Sequence, residues 1–185
     1  MRYAQIRSMD ISNGENVGVS LFVQGCDRNP HCKNCFNSDT WDFNGGKEWT
    51  EEAKNKFMKL IDRSYIKRIS FLGGECLAEQ NLDEILSLIK LIRNSFPEKT
   101  IWLYTGYNFD LLNSKYNEYK YTPFAANADE WLTRWEIIFN VDVLVDGEYI
   151  DEQKDLSLKF RGSKNQRVID IKQSLAQNKL VLYCN

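Results

Sequence analysis

The sequence VGVSLFVQGCDRNPHCKNC, residues 17–35, joins a strand pattern to a group of closely spaced cysteines. The first eight residues form a short apolar run rich in valine, which predicts a buried β-strand over residues 17–24. Cys26, Cys32 and Cys35 follow within ten positions. The pattern therefore predicts a loop that carries three thiols at the C-terminal end of a buried strand.

Two amphipathic helices are predicted downstream of the cysteines. Residues 50–63 place apolar side chains at helical spacing, with Thr50 in position to cap the N-terminus. Residues 81–96 repeat this spacing, and Asn81 followed by Glu84 three positions later resembles a capping box. Both segments are long enough to cover one face of a sheet.

Further strands alternate with these helices. Short apolar runs predict strands at residues 67–72, 100–105 and 141–145, and two more apolar runs lie at residues 168–171 and 180–183. Shorter helices are expected at residues 108–115 and 131–139, and residues 116–128, which lack periodicity, are expected to form a loop. This alternation predicts an α/β fold with a mainly parallel sheet and covering helices.

Glycine-containing turns follow the predicted strands. In a parallel sheet the carboxyl ends of the strands meet at one edge, where α/β proteins bind their ligands. We therefore expect one rim to gather the cysteine loop, Gly73-Gly74-Glu75, Thr105-Gly106 and Asp146-Gly147.

Length and composition limit the classes of protein to consider. The 185 residues suit a single domain, residues 1–185, and the formal charge of −2 has no long run of one sign, so neither a nucleic-acid nor a membrane partner is expected. The longest stretch without a charged residue, positions 16–26, is too short to span a bilayer. With no export signal, a cytoplasmic location is expected, where thiols stay reduced. Cys76 and Cys184 stand alone and are expected to be inert.

Three thiolates from one loop can hold a metal centre and leave one coordination position open for a substrate. The spacing C-x5-C-x2-C fits an iron-sulfur loop. It also fits a structural zinc site in which His31, beside Cys32, completes a set with Cys26 and Cys35. The spacing alone does not separate these alternatives, but a rim of polar strand ends favours a cluster that binds a small molecule.

Several separated motifs resemble one enzyme family. Gly25-Cys26, the CKNCFN stretch at residues 32–37 and Thr40-Trp41 look like the cluster loop of radical S-adenosylmethionine enzymes, most closely the activating proteins of anaerobic ribonucleoside-triphosphate reductase. In the same order follow GGE at 73–75, WLYTGY at 102–107, DVLVDG at 142–147 and FRGSKNQR at 160–167, which are similar to further stretches of that family. The family's usual cysteine spacing is C-x3-C-x2-C, so the first loop here is two residues longer.

The resemblance implies a small incomplete (β/α) barrel and a 4Fe-4S cluster held by Cys26, Cys32 and Cys35. S-adenosylmethionine would bind the fourth iron, and one electron from a reduced flavodoxin- or ferredoxin-type donor would cleave it to methionine and a 5'-deoxyadenosyl radical. In the family this radical takes hydrogen from a glycine of the partner reductase, leaving a glycyl radical there.

The resemblance also implies cofactor-binding residues. Gly73 and Gly74 would let the backbone approach the methionine moiety, and Glu75 or neighbouring carbonyls would accept from its ammonium group. Backbone groups at Asn34 and Cys35, and the ring and backbone of Phe36, would meet the adenine. Four further polar residues remain open between a turn role and a contact with the site: Asp142, Asp146, Asn165 and Gln166.

Two other functions are compatible with these residues. One is a radical enzyme that acts on a different glycyl-radical protein or on a small molecule. The other is a non-catalytic zinc-binding interaction module built on Cys26, His31, Cys32 and Cys35.

Overall fold

Residues 1–184, which the computed structural model describes, form eight β-strands and five α-helices in an α/β arrangement. The strands are β1 (Arg2–Asp10), β2 (Gly18–Val23), β3 (Lys47–Glu48), β4 (Arg68–Gly73), β5 (Thr100–Tyr104), β6 (Val143–Asp146), β7 (Arg167–Asp170) and β8 (Leu182–Cys184). The helices are α1 (Glu51–Ile61), α2 (Leu82–Ser95), α3 (Phe109–Tyr119), α4 (Ala128–Phe139) and α5 (Ile171–Gln177).

All eight strands belong to one mixed sheet with the order β3-β1-β2-β4-β5-β6-β7-β8. The four central strands, β2, β4, β5 and β6, run parallel to one another, and the flanking strands pair antiparallel on both sides. The α/β class predicted from the sequence is confirmed. Its parallel part is the centre of the sheet, which contains all the strands predicted before residue 146.

The register of the central strands brings the predicted site segments together. Every residue of β2 is buried, which explains its continuous apolar sequence. Val23 at the end of β2 lies opposite Gly73 at the end of β4, so these two strands finish side by side. Consequently the cysteine loop and the Gly-Gly-Glu turn leave the sheet at neighbouring points.

The two long helices cover the sheet with their apolar faces. Phe57 and Ile61 of α1 and Ile85 and Ile89 of α2 are completely buried in one core. The predicted N-cap of α1 is confirmed, because the Thr50 side chain accepts a hydrogen bond from the backbone N–H of Ala53.

The predicted capping box of α2 is wrong. The Asn81 side chain makes no cap hydrogen bond and instead donates to the carbonyls of Gln24 and Glu75. Glu84 accepts a hydrogen bond from the indole of Trp49. Both polar side chains thus form hydrogen bonds with residues outside the helix and do not cap its N-terminus.

Helix α3 is longer than predicted, and part of the expected loop at residues 116–128 is helical. Tyr116 extends α3 because its ring stacks on Trp135 of α4, with the ring centroids 5.0 Å apart. Helix α4 likewise begins three residues before the predicted start, at Ala128. The segment between them, residues 120–127, consists of turns.

A buried ion pair links the end of β1 to the start of β4. Arg68 is completely buried and donates to both the carbonyl and the carboxylate of Asp10. Burial by itself raises the pKa of Asp10, but hydrogen bonds from Asn13 and from the backbone N–H of Ser12 lower that pKa to about 2. None of the helices in the described part of the chain is both long and apolar enough to cross a membrane.

Candidate active site

A cavity of about 570 Å3 opens at the carboxyl ends of the central strands. Its wall contains all three clustered cysteines and the ends of β4, β5 and β6, including Gly73, Gly74, Glu75, Thr105, Gly106 and Gly147. The predicted gathering of these segments on one rim is therefore confirmed, with the exception of Asp146, whose carboxylate points into an ion pair outside the cavity.

Backbone hydrogen bonds fix the start of the cysteine loop. The N–H groups of Gly25 and Cys26 donate to the carbonyls of Thr40 and Trp41, at 2.8 and 3.0 Å. The N–H of Glu75 donates to the carbonyl of Gly25 at 2.7 Å, which attaches the loop to the Gly-Gly-Glu turn. Cys26 is thus held at a fixed point beside the end of β4.

The three thiols are free and half-buried. Burial raises the pKa of Cys26 to about 11 and also raises the pKa of Cys32. The N–H of Cys35 donates to the carbonyl of Cys32, so these two cysteines share one tight turn. Metal binding to such neutral thiols releases their protons, because the ligand is the thiolate.

The donor set fits a 4Fe-4S cluster with an open iron. Three soft thiols line one cavity, and a cluster takes each thiolate on a separate iron, so the sulfurs do not have to converge on one point. Three protein ligands leave the fourth iron free for another molecule. The rest of the cavity provides room for that molecule beside the Gly-Gly-Glu turn.

A compact zinc site has less support. Across residues 1–184, no three His, Cys, Asp or Glu side chains are grouped so that they hold a metal ion. His31 stacks its ring on Trp41 at a centroid distance of 4.3 Å, and its Nε2 lies 3.3 Å from the carbonyl oxygen of Cys26. The ring is therefore engaged within the loop itself.

Gly73 and Gly74 are required by the packing of the chain on itself. Gly73 has a φ of +115°, and a Cβ at Gly74 would lie 2.1 Å from the carbonyl oxygen of Gly25. Both positions therefore demand glycine before any ligand is considered. The backbone at and just after the end of β2 already packs closely against these two glycines, where a close contact with a cofactor was expected.

Glu75 has its carboxylate occupied by the protein. It accepts hydrogen bonds from the Thr105 hydroxyl and from the N–H groups of Gly106 and Leu77, at 2.7 to 2.9 Å. Only 2% of the residue is exposed, and burial raises the pKa of its carboxyl group. This side chain braces the turn after β4 against the end of β5.

The residues that were expected to meet an adenine differ in their surroundings. Phe36 lines the cavity, is 58% exposed and packs against Tyr149 with a centroid distance of 4.9 Å. Asn34 lies outside the cavity wall, and its side chain donates to Asp151 at 2.8 Å. Its φ of +55° is in the left-handed region that Asn and Gly tolerate best.

The four polar residues left open by the sequence divide into different roles. Asp142 pairs with Arg93 and Lys172 and lies outside the cavity wall, as does Asp146, which pairs with Arg167. Gln166 does line the cavity, and its side chain bridges Gly147 and Gly162. Asn165 lines a neighbouring polar cavity of about 410 Å3.

Three cavity residues that the sequence analysis did not single out carry buried polar atoms without a hydrogen-bond partner among residues 1–184. They are the Nε atoms of Arg28 and Arg161 and the hydroxyl of Tyr104. Burial raises the pKa of Tyr104, so this hydroxyl remains a neutral donor. The sequence signals were present: Arg28 lies between Cys26 and Cys32, and Tyr104 directly precedes Thr105-Gly106. Of the two isolated cysteines, Cys76 is buried in the core and Cys184 lies outside the cavity wall.

Comparison with known proteins gives the family. A family model described as a 4Fe-4S single cluster domain matches residues 12–169. A protein from Escherichia coli K12 named anaerobic ribonucleoside-triphosphate reductase-activating protein is 35% identical over 170 residues, which cover 91% of this chain and 97% of the relative. The chain belongs to this family of reductase-activating proteins.

Other members of the activating-protein family match over the same length. The protein of that name from Salmonella typhi is also 35% identical, with 91% of this chain and 97% of the relative covered. The one from Enterobacteria phage T4 is 34% identical, with 91% and 93% covered. The span of the family model, residues 12–169, includes the whole cysteine loop, the Gly-Gly-Glu turn and β2 to β6. The resemblance noted from the motifs is confirmed.

Proposed function

We propose that this chain is a radical S-adenosylmethionine activase that generates a glycyl radical on anaerobic ribonucleoside-triphosphate reductase. The observation that carries the proposal is the cavity in which three free cysteines face the Gly-Gly-Glu turn. Membership of a family whose relatives are named as activators of that reductase gives the substrate.

Cys26, Cys32 and Cys35 are the proposed cluster ligands. The backbone bonds at Gly25 and Cys26 hold the first thiol at the end of β2, and the turn from Cys32 to Cys35 presents the other two. When bound, the cluster and S-adenosylmethionine supply one-electron cleavage of the sulfonium carbon-sulfur bond, which gives methionine and the 5'-deoxyadenosyl radical. The chain itself binds, orients and shields these groups.

S-adenosylmethionine is proposed to bind in the same cavity. Backbone carbonyls around Gly73, Gly74 and Glu75 are the proposed acceptors for its ammonium group, since the Glu75 carboxylate already has three donors. The exposed ring of Phe36 offers a surface for the adenine, and backbone groups at Asn34 and Cys35 are proposed to form its polar contacts. The buried donors of Tyr104 and Arg161 lie in the same wall and are available to acceptors on a ligand.

The wider assignments are part of the same proposal. Residues 1–185 are proposed to be one domain, and the parallel strands β2, β4, β5 and β6 with their helices to form the incomplete (β/α) barrel of the superfamily. A cytoplasmic location is supported by the five unpaired thiols. A reduced flavodoxin- or ferredoxin-type protein is the proposed electron donor.

Electron paramagnetic resonance on the anaerobically reconstituted, reduced protein tests the proposal. We expect a 4Fe-4S signal that changes shape when S-adenosylmethionine is added, and a glycyl radical on the reductase when both proteins are present. Cys32→Ala should abolish all three, whereas Cys184→Ala, a thiol outside the cavity, should leave them intact. Tightly bound zinc with no cluster signal would contradict the proposal, and a normal cluster without a glycyl radical would refute the assigned protein substrate.

A further inference from the structure

Arg28 lies in the longer loop between the first two cluster cysteines and lines the same cavity as the three thiols. It also lines the neighbouring polar cavity, so its side chain stands at the boundary between the two. Arg28 follows Cys26 by two residues in the chain, so it lies in the same loop as one proposed ligand.

The charge of Arg28 has no carboxylate partner within residues 1–184. Its guanidinium donates to the carbonyl of Gly106 and lies over the ring of Tyr107, 4.9 Å from the centroid, while its Nε is buried without a hydrogen bond. Four other arginines each pair with an acidic side chain: Arg68, Arg93, Arg134 and Arg167. Arg161, in the same cavity wall, resembles Arg28 in that its Nε is also buried without a hydrogen bond. A guanidinium keeps its proton under all ordinary conditions, so Arg28 adds a permanent positive charge to the cavity wall.

A positive charge at this place acts on the oxidation state of an iron-sulfur centre. One-electron reduction adds a negative charge to the cluster, and a half-buried cation stabilises the reduced form more than the oxidised form because solvent screens it weakly. Net charge and hydrogen bonds near the sulfurs are among the features that set cluster potentials.

We propose that Arg28 is a positioning residue that raises the reduction potential of the cluster held by Cys26, Cys32 and Cys35. This inference rests on the proposed function, since it requires the cluster. The step it affects is a single-electron reduction in which the cluster gains one electron from the donor protein and no covalent bond changes.

The test is a reductive titration with dithionite and mediators, followed by electron paramagnetic resonance, in the absence of S-adenosylmethionine. Arg28→Gln should lower the ratio of reduced to oxidised cluster about tenfold at a fixed potential, which equals a shift of about 59 mV for a one-electron couple. Arg28→Lys, which keeps the charge, should retain most of the wild-type potential.

Lys33→Gln is the matched control. Lys33 is next to Cys32 in the same loop, but its side chain is 69% exposed, pairs with Glu152 at 3.0 Å and lies outside the cavity wall. Removing this charge should leave the potential unchanged. An equal shift in both variants would overturn the proposal, because it would assign the effect to the overall charge of the loop.

Gly106→Ala gives an independent route to the same answer. A Cβ at Gly106 would lie 2.7 Å from the Nε of Arg28, so the flexible guanidinium must move away while every proposed ligand stays intact. We expect a lower potential in this variant too. If Arg28→Gln assembles no cluster, the reduction potential of the Gly106→Ala protein becomes the test. An unchanged potential in that variant overturns the proposal.

Other outcomes separate this inference from the proposed function. A wild-type protein that takes up no cluster would defeat the function itself. A loaded Arg28→Gln protein with the wild-type potential but weaker S-adenosylmethionine binding would defeat only the inference, and would make Arg28 a ligand of that molecule.

Discussion

The hydroxyl of Thr105 donates a 2.7 Å hydrogen bond to the Glu75 carboxylate and so joins the turn after β4 to the end of β5. The N–H of Gly106 donates to the other carboxylate oxygen at 2.8 Å. Because Glu75 is almost fully buried, these donors replace the water that its carboxylate would otherwise bind. The acidic residue of the Gly-Gly-Glu motif is thereby a structural brace of the cavity wall.

Substituting this brace should destabilise the fold. Glu75→Gln replaces one acceptor oxygen by an amide that cannot accept from a backbone N–H, and we expect a loss of about 1–3 kcal/mol in the free energy of unfolding. Urea denaturation followed by circular dichroism measures it. Thr105→Ser, which keeps the hydroxyl, serves as the control and should stay within about 0.5 kcal/mol of wild type. Full stability of Glu75→Gln with lost S-adenosylmethionine binding would instead make Glu75 a cofactor ligand.

The hydrogen bonds that Asp10 accepts from Asn13 and from the backbone N–H of Ser12 predict a pH-dependent component of stability. The pKa of Asp10 is lowered to about 2 from an ordinary value of 3.8, so the unfolded state binds its proton first as the pH falls. The stabilisation is complete above pH 4 and is lost between about pH 4 and pH 2, and it amounts to about 2–3 kcal/mol. Denaturation midpoints measured across that pH range test it.

Asn13→Ala is the comparison for this pH effect. The Asn13 amide donates to the Asp10 carboxylate at 2.6 Å, and its loss should bring the pKa of Asp10 closer to the ordinary value. The variant should therefore lose less stability on acidification than wild type. Parallel loss in the two proteins would show that other carboxyl groups govern the acid transition.

His31→Ala separates the cluster from the zinc alternative. The ring stacks on Trp41 and contacts the Cys26 carbonyl, so its loss should leave the iron content and the cluster signal within about twofold of wild type. Iron analysis and electron paramagnetic resonance measure both. A variant that loses its metal would make the histidine a ligand and would argue against three cysteines with an open fourth position.

Phe36→Ala should weaken cofactor binding with little effect on folding. The ring is 58% exposed, so its removal leaves the hydrophobic core almost unchanged. The cavity wall loses the aromatic surface that the ring provides. We expect about tenfold weaker S-adenosylmethionine binding, equivalent to about 1.4 kcal/mol, from the titration of the cluster signal. Phe139→Ala, a ring 65% exposed outside the cavity wall, should bind normally.

The sequence was informative where a side-chain pattern follows directly from burial. Strands β2 and β4 are almost wholly buried, so their sequences are mostly apolar. Helix α1 is recognisable from the helical spacing of its apolar residues and from its N-cap residue. Strand β1 was missed because most of its residues are exposed or half-buried, which leaves a mixed polar sequence with no clear alternation. Its partner β2 determines its conformation through antiparallel pairing.

The site was predictable in its parts but not in how they contact one another. The cysteines and the Gly-Gly-Glu turn are visible as motifs, since each lies within a few consecutive residues. Two of the three donors to the Glu75 carboxylate, Thr105 and Gly106, lie about thirty residues further along the chain. The carbonyl that accepts from Arg28 is also that of Gly106. Spacing in a sequence cannot reveal such contacts, which depend on the order of the strands in the sheet.

Backbone hydrogen bonds join Gly25 to Thr40 and Cys26 to Trp41. Residues 27–39 therefore form an Ω-loop, since the two ends of the segment lie side by side. The strands on either side do not depend on the length of such an excursion, and adding residues to a loop with fixed ends costs little chain entropy. Because these hydrogen bonds hold the ends of the loop, its length does not set the positions of β2 and β4. The number of residues between the first two cysteines is thus separable from the scaffold that holds the ends of the loop.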